Sequence, residues 1–543
     1  MMKIFLFSLL IICYANSKCQ AQPVISKENL IKHTTILGSD DFGGRGNGEA
    51  GGEKAAKYLA GEFGKLNLIP LGDDTTYFQN IRMHGAKPLT SSGLVLNSGN
   101  EEKTFKLWDD YLLYSTGEQT FIPTPLELVF VGYGIIAPEY DYNDYQSVDV
   151  EGKIVVFLDG EPYSEDDSFF KGERPTIYSY PEVKQRIALS RGARGSILIP
   201  FYPENFSFYW KKLRQEFSFE DVTLASSVAS NLALLFNPVS AEKLFSNSGH
   251  TLSDVYKLHN ERLMVSFDMN SSLSFRGEFK ERDFISQNII GMVKGSDPEL
   301  KNSYIILSAH YDHLGIGVPV KGDSIYNGVF DNAIGDAAIL ELARVYSENR
   351  IKPKRSVIFI FLTGEEKGLL GSTYYKDNPV VPLYKTIANI NIDGIALFDN
   401  FKSIVGVGAE YSTLTEFLNE IAQKDNLKVT QIPERFKNAD AFEKSDQAAF
   451  ASAGIPSILV MEAPDYVNIS KEEGLKKFIY YSENIYHTPF DDLTQYMNFN
   501  AAVQHVNIIY DLCNLLANSE EAPEWKNNSP YLNARLHSIA EKK

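Results

Sequence analysis

Cysteine is nearly missing from this chain of 543 residues, which has three, at positions 13, 19 and 513. Lys3, an apolar run over 4–14 and small or polar residues up to Ala21 read as a signal peptide cleaved near Ala21. Cleavage there would remove Cys13 and Cys19 and leave Cys513 without a partner, so the fold has to be held by its core, with or without metal. Asn16, Ser17 and Lys18 ahead of Cys19 do not favour lipoprotein processing, and the expected location is periplasmic or extracellular. Basic residues are outnumbered, 52 Lys and Arg against 70 Asp and Glu, for a net charge of -18. This excludes a nucleic-acid partner, because phosphate binding needs clustered cations. No apolar run, the leader included, is long enough to span a bilayer. H-E-x-x-H and G-x-S-x-G are both absent, which closes the single-zinc protease route and the serine-hydrolase elbow.

What is present describes a folded chain with a large core, since 44% of residues are hydrophobic and 22% charged. At this length two or more domains are expected. Residues 46, 48 and 51 fit a G-x-G-x-x-G spacing, but no strand precedes them, so a glycine-rich loop before a helix is the reading. Short strand-like runs over 126–135, 153–158 and 196–199 gather no His, Cys and acids at metal-ligand spacing. Beyond about residue 275 strands alternate with helices, with strands expected over 304–309, 356–362, 386–392, 403–407 and 457–461. Helices are expected over 333–348, 411–424 and 501–516. Such alternation predicts a doubly wound α/β sheet. Cys513 shares a helix face with Val506, Ile509 and Leu516 and reads as core.

The run 356–362 (SVIFIFL) is followed at once by Thr363, Gly364, Glu365 and Glu366. Taken alone the two acids could be a solvated helix start. In α/β sheets, however, ligands gather at the carboxyl ends of the strands, and adjacent carboxylates there can divide metal binding from proton transfer. Other strand ends are similarly marked: His310 and Asp312 follow one strand and Asp393 another, Asp331 precedes a helix, and His487 lies in YHTPFDD over 486–492. Each alone reads as a cap, turn or surface residue. Together, two histidines and several carboxylates without thiolates suit a catalytic zinc site. A bridging Asp331 would place two metals about 3.5–4 Å apart.

The motifs AHYDHLG (309–315), NGVFDNAIG (327–335), FLTGEEKGLLG (361–371), NINIDG (389–394) and YHTPFDD resemble, in order and spacing, those of the zinc aminopeptidase and glutamate carboxypeptidase family. The resemblance implies a phosphorylase/hydrolase-like three-layer αβα sandwich. GYGI (132–135) and GKIVVFL (152–158) resemble the protease-associated domain that many members carry as an insertion. The implied division is a signal peptide (1–21), an N-terminal part of the catalytic domain (22–115), an inserted β-rich domain (116–275), a catalytic domain (276–518) and a tail (519–543).

The resemblance also implies two zinc ions, one on His310 and Asp393, the other on Glu366 and His487, with Asp331 bridging. Glu365 is then the general base, Asp312 supports His310, and Tyr486 steadies the oxyanion; His313, close to His310, reads from its position as support for a ligand or as structural. Phe330 and Gln447 depart from the family, whose members usually have an acid and a histidine there. The function implied is aminopeptidase action on peptides. Its alternatives are a carboxypeptidase or dipeptidase, for which Arg435 is a loose candidate to bind the substrate carboxylate, and an inactive binding or receptor protein on the same scaffold.

Overall fold

A computed structural model describes residues 23–542 apart from 114–120, 167, 173–174, 202–205, 229–230 and 434–440. The leader and Arg435 therefore lie outside the described residues. The β-branched and aromatic run Ser356–Leu362 is a strand buried at every position. Val357, Phe359 and Phe361 join one apolar cluster, while Ile358, Ile360 and Leu362 join another. Successive strand side chains point to opposite faces, so this strand is covered on both sides, as the middle layer of three must be.

The sheet around it has ten strands among the described residues: β1 (Ile69–Pro70), β2 (Phe78–Pro88), β3 (Asp221–Leu224), β4 (Phe279–Val293), β5 (Tyr304–His310), β6 (Ser356–Leu362), β7 (Thr386–Asn391), β8 (Ser403–Val407), β9 (Lys428–Val429) and β10 (Ser457–Glu462). Their order is β3-β2-β4-β6-β5-β7-β10-β8-β9, with β1 on β4. The centre is parallel, and its register sets His310 opposite Leu362 and Ser308 opposite Asn391. The carboxyl ends of β5, β6 and β7 thus finish side by side. One face is covered by helices that include Ile334–Glu348, Leu414–Lys424 and Phe499–Asn518, whose buried residues share one core. Leu370–Asp377 and Gln447–Ser452 cover the other, through Tyr375 and Phe450. Cys513 is buried in the first of these cores.

A second sheet gathers, among the described residues, eight strands from Gly93–Ser98 to Ser266–Arg276 around its own apolar clusters. Gly93–Ser98, Glu101–Phe105 and Tyr111–Leu113 all pair within it, so strand pairing starts this unit before the residue 116 expected from sequence. These short strands carry too weak an alternation to reveal their partners, which long-range hydrogen bonds decide. The segment 215–224 reaches from this unit back to the first sheet: β3 pairs with β2, Arg282 donates to both oxygens of Glu220, and Phe219 meets Tyr326 edge to face at 4.9 Å.

His505, on helix Phe499–Asn518, is fully enclosed. Its Nδ1 accepts from the Ala396 N–H and its Nε2 donates to the Val460 carbonyl, both at 3.0 Å, a pairing only the neutral ring can make. Burial pushes its pKa down to about 4. The folded value lies below that of the unfolded chain, so the unfolded chain binds this proton first. The contribution is complete above about pH 6.5 and is lost as pH falls toward 4. Between pH 7 and pH 5 the wild type should lose on the order of 2 kcal/mol more than His505→Gln, as read from denaturant midpoints. Equal losses would show that the ring does not set this slope.

Candidate metal centre

The sheet register brings the marked residues to one edge. His310 ends β5, Glu365 and Glu366 follow the end of β6 by a tight turn, and Asp393 lies two residues past β7. The turn needs Gly364, whose φ is +69° and whose added Cβ would press Leu370 and the Asn47 amide. Asn47 Nδ2 donates to Thr363 Oγ1 at 2.8 Å and fixes the near side of that turn.

Asp331 comes from the opposite direction, in the turn before helix Ile334–Glu348. The N–H groups of Phe330 and Asp331 donate to the two oxygens of Asp491 at 2.9 and 3.0 Å. From below, the buried Arg45 guanidinium donates to the carbonyls of Leu37, Tyr311, Asn327 and Gly328. One cation on four carbonyls ties the end of β5 to the Asp331 turn. His487 closes the set from beyond helix Lys471–Asn484, with its ring stacked on Tyr486 at 3.8 Å between centroids.

The distances sort these side chains into two groups that share one carboxylate. His310 Nε2 lies 3.2 Å from Asp331 Oδ1 and 3.3 Å from Asp393 Oδ1. His487 Nε2 lies 3.4 Å from Asp331 Oδ2 and 3.1 Å from Glu366 Oε2. Ligand atoms at 2.0–2.2 Å from a tetrahedral ion are roughly 3.3–3.6 Å apart, and the four separations here, 3.1–3.4 Å, reach the lower end of that range. His487 Nε2, buried, makes a hydrogen bond to neither carboxylate. Ligand-capable atoms of His310, Asp331 and Glu366, and of His310, Glu365 and Asp393, fall within 4.8 Å of one another.

Four carboxylates meet the imidazoles of His310 and His487 at this edge, with His313 behind Glu366, and the electrostatics reflect the excess. Burial opposes charge on His310 and His487, but the surrounding carboxylates outweigh it, raising His310 well above the usual imidazole value and His487 to about 10. Burial raises Glu365, with Asp393 and Glu366 reinforcing it against the pull of His310. Divalent cations would relieve this crowding, so the donor set and its charge both fit metal, and an all N/O set suits zinc.

Supporting contacts were only partly visible in the sequence. Asp312 meets His310 through its main chain and Glu365 through its side chain. His310 Nδ1 faces the Asp312 main-chain carbonyl at 3.1 Å, while the Asp312 carboxylate accepts the Glu365 N–H at 3.2 Å. His313 Nδ1 lies 2.5 Å from Glu366 Oε1, behind the face that Glu366 turns to His487. Ser445 donates to Asp393 Oδ2 at 2.6 Å, and Asn391 donates to both Ser445 and Gln447. Gln447 therefore sits behind Asp393, and Phe330 packs its ring on Tyr481 at 4.7 Å beside Asp331. Sequence reasoning missed Asp491 and Arg45. The doubled acid of YHTPFDD and a lone arginine among glycines were the available signals.

Residues 288–512 match the model of peptidase family M28. The chain is 26% identical over 294 residues to a vacuolar membrane protease of Schizosaccharomyces japonicus, covering 52% of this chain and 30% of that protein. It is 33% identical over 134 residues to a probable zinc metalloprotease of Pyrenophora tritici-repentis, covering 24% of this chain and 29% of that protein. The chain thus spans less than a third of either relative. Among solved structures, an aminopeptidase from Aneurinibacillus sp. strain AM-1 shares the fold with a TM-score of 0.56 at 19% identity, covering 92% of this chain and 95% of that one.

The same relatives correct the expected periplasmic or extracellular location, because several are named vacuolar membrane proteases. A signal peptide, where one is present, specifies entry to a secretory route and not the compartment where that route ends. No helix among the described residues is long and apolar enough to cross a membrane. The match to the model of peptidase family M28, residues 288 to 512, contains the whole cluster from His310 to His487.

Proposed function

We propose that this chain is a zinc-dependent aminopeptidase that removes N-terminal residues from peptides. His310, Asp393 and Asp331 Oδ1 would hold one ion, and His487, Glu366 and Asp331 Oδ2 a second. The observation that carries the reading is the Asp331 carboxylate, whose two oxygens face His310 and His487 separately. The names of the Aneurinibacillus aminopeptidase and of the protease relatives support the same reaction class. We also read the second sheet as the protease-associated module of such an enzyme.

Zinc at this edge supplies Lewis acidity toward water and the peptide carbonyl. The chain supplies the proton traffic. Glu365, among the ligand atoms of His310 and Asp393 without being needed to bridge, takes the proton of the attacking water on its carboxylate and passes it to the leaving amine. Asp312 fixes the Glu365 backbone for this, and His310 is held in one orientation by the carbonyl behind it. Tyr486, 39% exposed and stacked on His487, is placed to donate its hydroxyl proton to the oxyanion.

The purified full chain is expected to hold two zinc ions and to cleave peptides with a free amino terminus and an amidated carboxyl terminus, leaving N-acetylated ones intact. Cleavage confined to N-acetylated peptides with free carboxylates would replace this reading with carboxypeptidase action. A chain that retains no zinc after incubation with it would replace it with a binding protein.

A further inference from the structure

The second sheet has a cavity that the metal centre does not touch. It lies between the turn after strand Phe121–Val131 and the end of helix Leu252–Asn260, with a volume of ≈ 270 Å³. Ligand pockets for drug-sized molecules hold roughly 300–1,000 Å³, so this one fits a single amino-acid side chain rather than a length of peptide. Its walls are aromatic, formed by Tyr133, Tyr142, Tyr163 and Phe169. Such walls take an aromatic or large apolar group through stacking and burial.

Two polar sites at the cavity have a hydrogen to donate. The Arg262 guanidinium lies over the Tyr163 ring, 5.1 Å from its centroid. Its acidic partner among the described residues is Glu165 at 3.9 Å, with side chains 54% and 81% exposed. A pair so separated and so wet holds the guanidinium weakly, and the planar fork of Arg suits a carboxylate. Deeper in, the Tyr133 hydroxyl and His259 Nδ1 are 2.6 Å apart. Burial keeps the His259 ring toward neutral and the Tyr133 phenol protonated. Whichever of the two donates to the other, the pair retains one hydrogen to give, from His259 Nε2 or from the tyrosine oxygen. Tyr142 is already committed to Asp144 Oδ1, at 2.7 Å. Aromatic walls beside a weakly held guanidinium describe a ligand that has an apolar body and an anionic group.

We propose that this cavity binds the carboxylate-bearing end of a peptide or amino acid with an aromatic or large apolar side chain, Arg262 taking the carboxylate and the aromatic walls the side chain.

N-acetylphenylalanine titrated into the full chain by calorimetry tests this. It should bind saturably, while Arg262→Gln weakens binding about tenfold or more, the effect of losing a charged hydrogen-bond partner. N-acetylphenylalaninamide should bind the wild type no better than the acid binds Arg262→Gln. Because Arg262 is half exposed, its replacement leaves the fold intact, and Tyr163→Leu, which removes the platform under the guanidinium, should weaken binding in the same direction. Free phenylalanine binding as tightly as the acetylated acid assigns the site to released amino acids, and much weaker binding assigns it to peptide ends. Equal affinity for acid and amide, wild-type affinity in Arg262→Gln, or no saturable binding at millimolar ligand would each overturn the proposal.

Discussion

Glu365→Gln is expected to lose peptide hydrolysis by about a hundredfold to ten-thousandfold, the usual worth of a positioned general base, while bound zinc stays at its wild-type value. The separation of the two effects follows from geometry. The five candidate ligands pair among themselves at 3.1–3.4 Å without Glu365. The amide of glutamine keeps the size of the side chain and cannot take a proton at neutral pH. The Glu365 N–H to Asp312 contact belongs to the backbone and survives the change. Metal content by emission spectroscopy and kcat on an N-terminally free peptide measure the two halves. Hydrolysis at the wild-type rate would remove Glu365 from the chemistry, and loss of zinc along with activity would make it a ligand instead.

Asp331→Ala should act on binding first. It removes an oxygen from each group at once, so zinc content should fall from two ions to one or none, with affinity lowered at least about a hundredfold. Removing even a residue behind a ligand costs ten- to a hundredfold. The turn itself should persist, because Asp491 grips main-chain N–H groups and Arg45 main-chain carbonyls, none of which the substitution touches. Thermal unfolding gives an independent reading. Zinc at a hundred times its dissociation constant stabilises the wild type by about 2.7 kcal/mol, and the variant should show little of that gain. A variant that kept two zinc ions and its full midpoint shift would show that the carboxylate is not shared.

The pattern of β-branched and aromatic runs announced the middle of the first sheet closely. Strands expected over 356–362 and 403–407 are found at those residues, and those near 304, 386 and 457 differ by one residue at their ends. Long apolar stretches bounded by turn residues leave the backbone little choice, since a strand buried on both faces needs them and a helix of that length does not. The helix expected over 411–424 starts three residues later, at Leu414, after a short 3-10 turn. The second sheet was far less legible. Its strands before residue 116 are short and partly polar, and β3 leaves its neighbours in sequence to pair with the first sheet.

By itself the sequence determined that acids and histidines stand at the carboxyl ends of apolar strands, because hydrophobic periodicity and turn residues are local properties of the chain. Only the tertiary structure decided what stands behind each of them. Asp491 lies 160 residues beyond Asp331, Arg45 lies 266 before Tyr311, and it is a carbonyl rather than a carboxylate of Asp312 that meets His310. Contacts of that kind depend on sheet register and on main-chain atoms that every residue possesses, so no side-chain pattern encodes them.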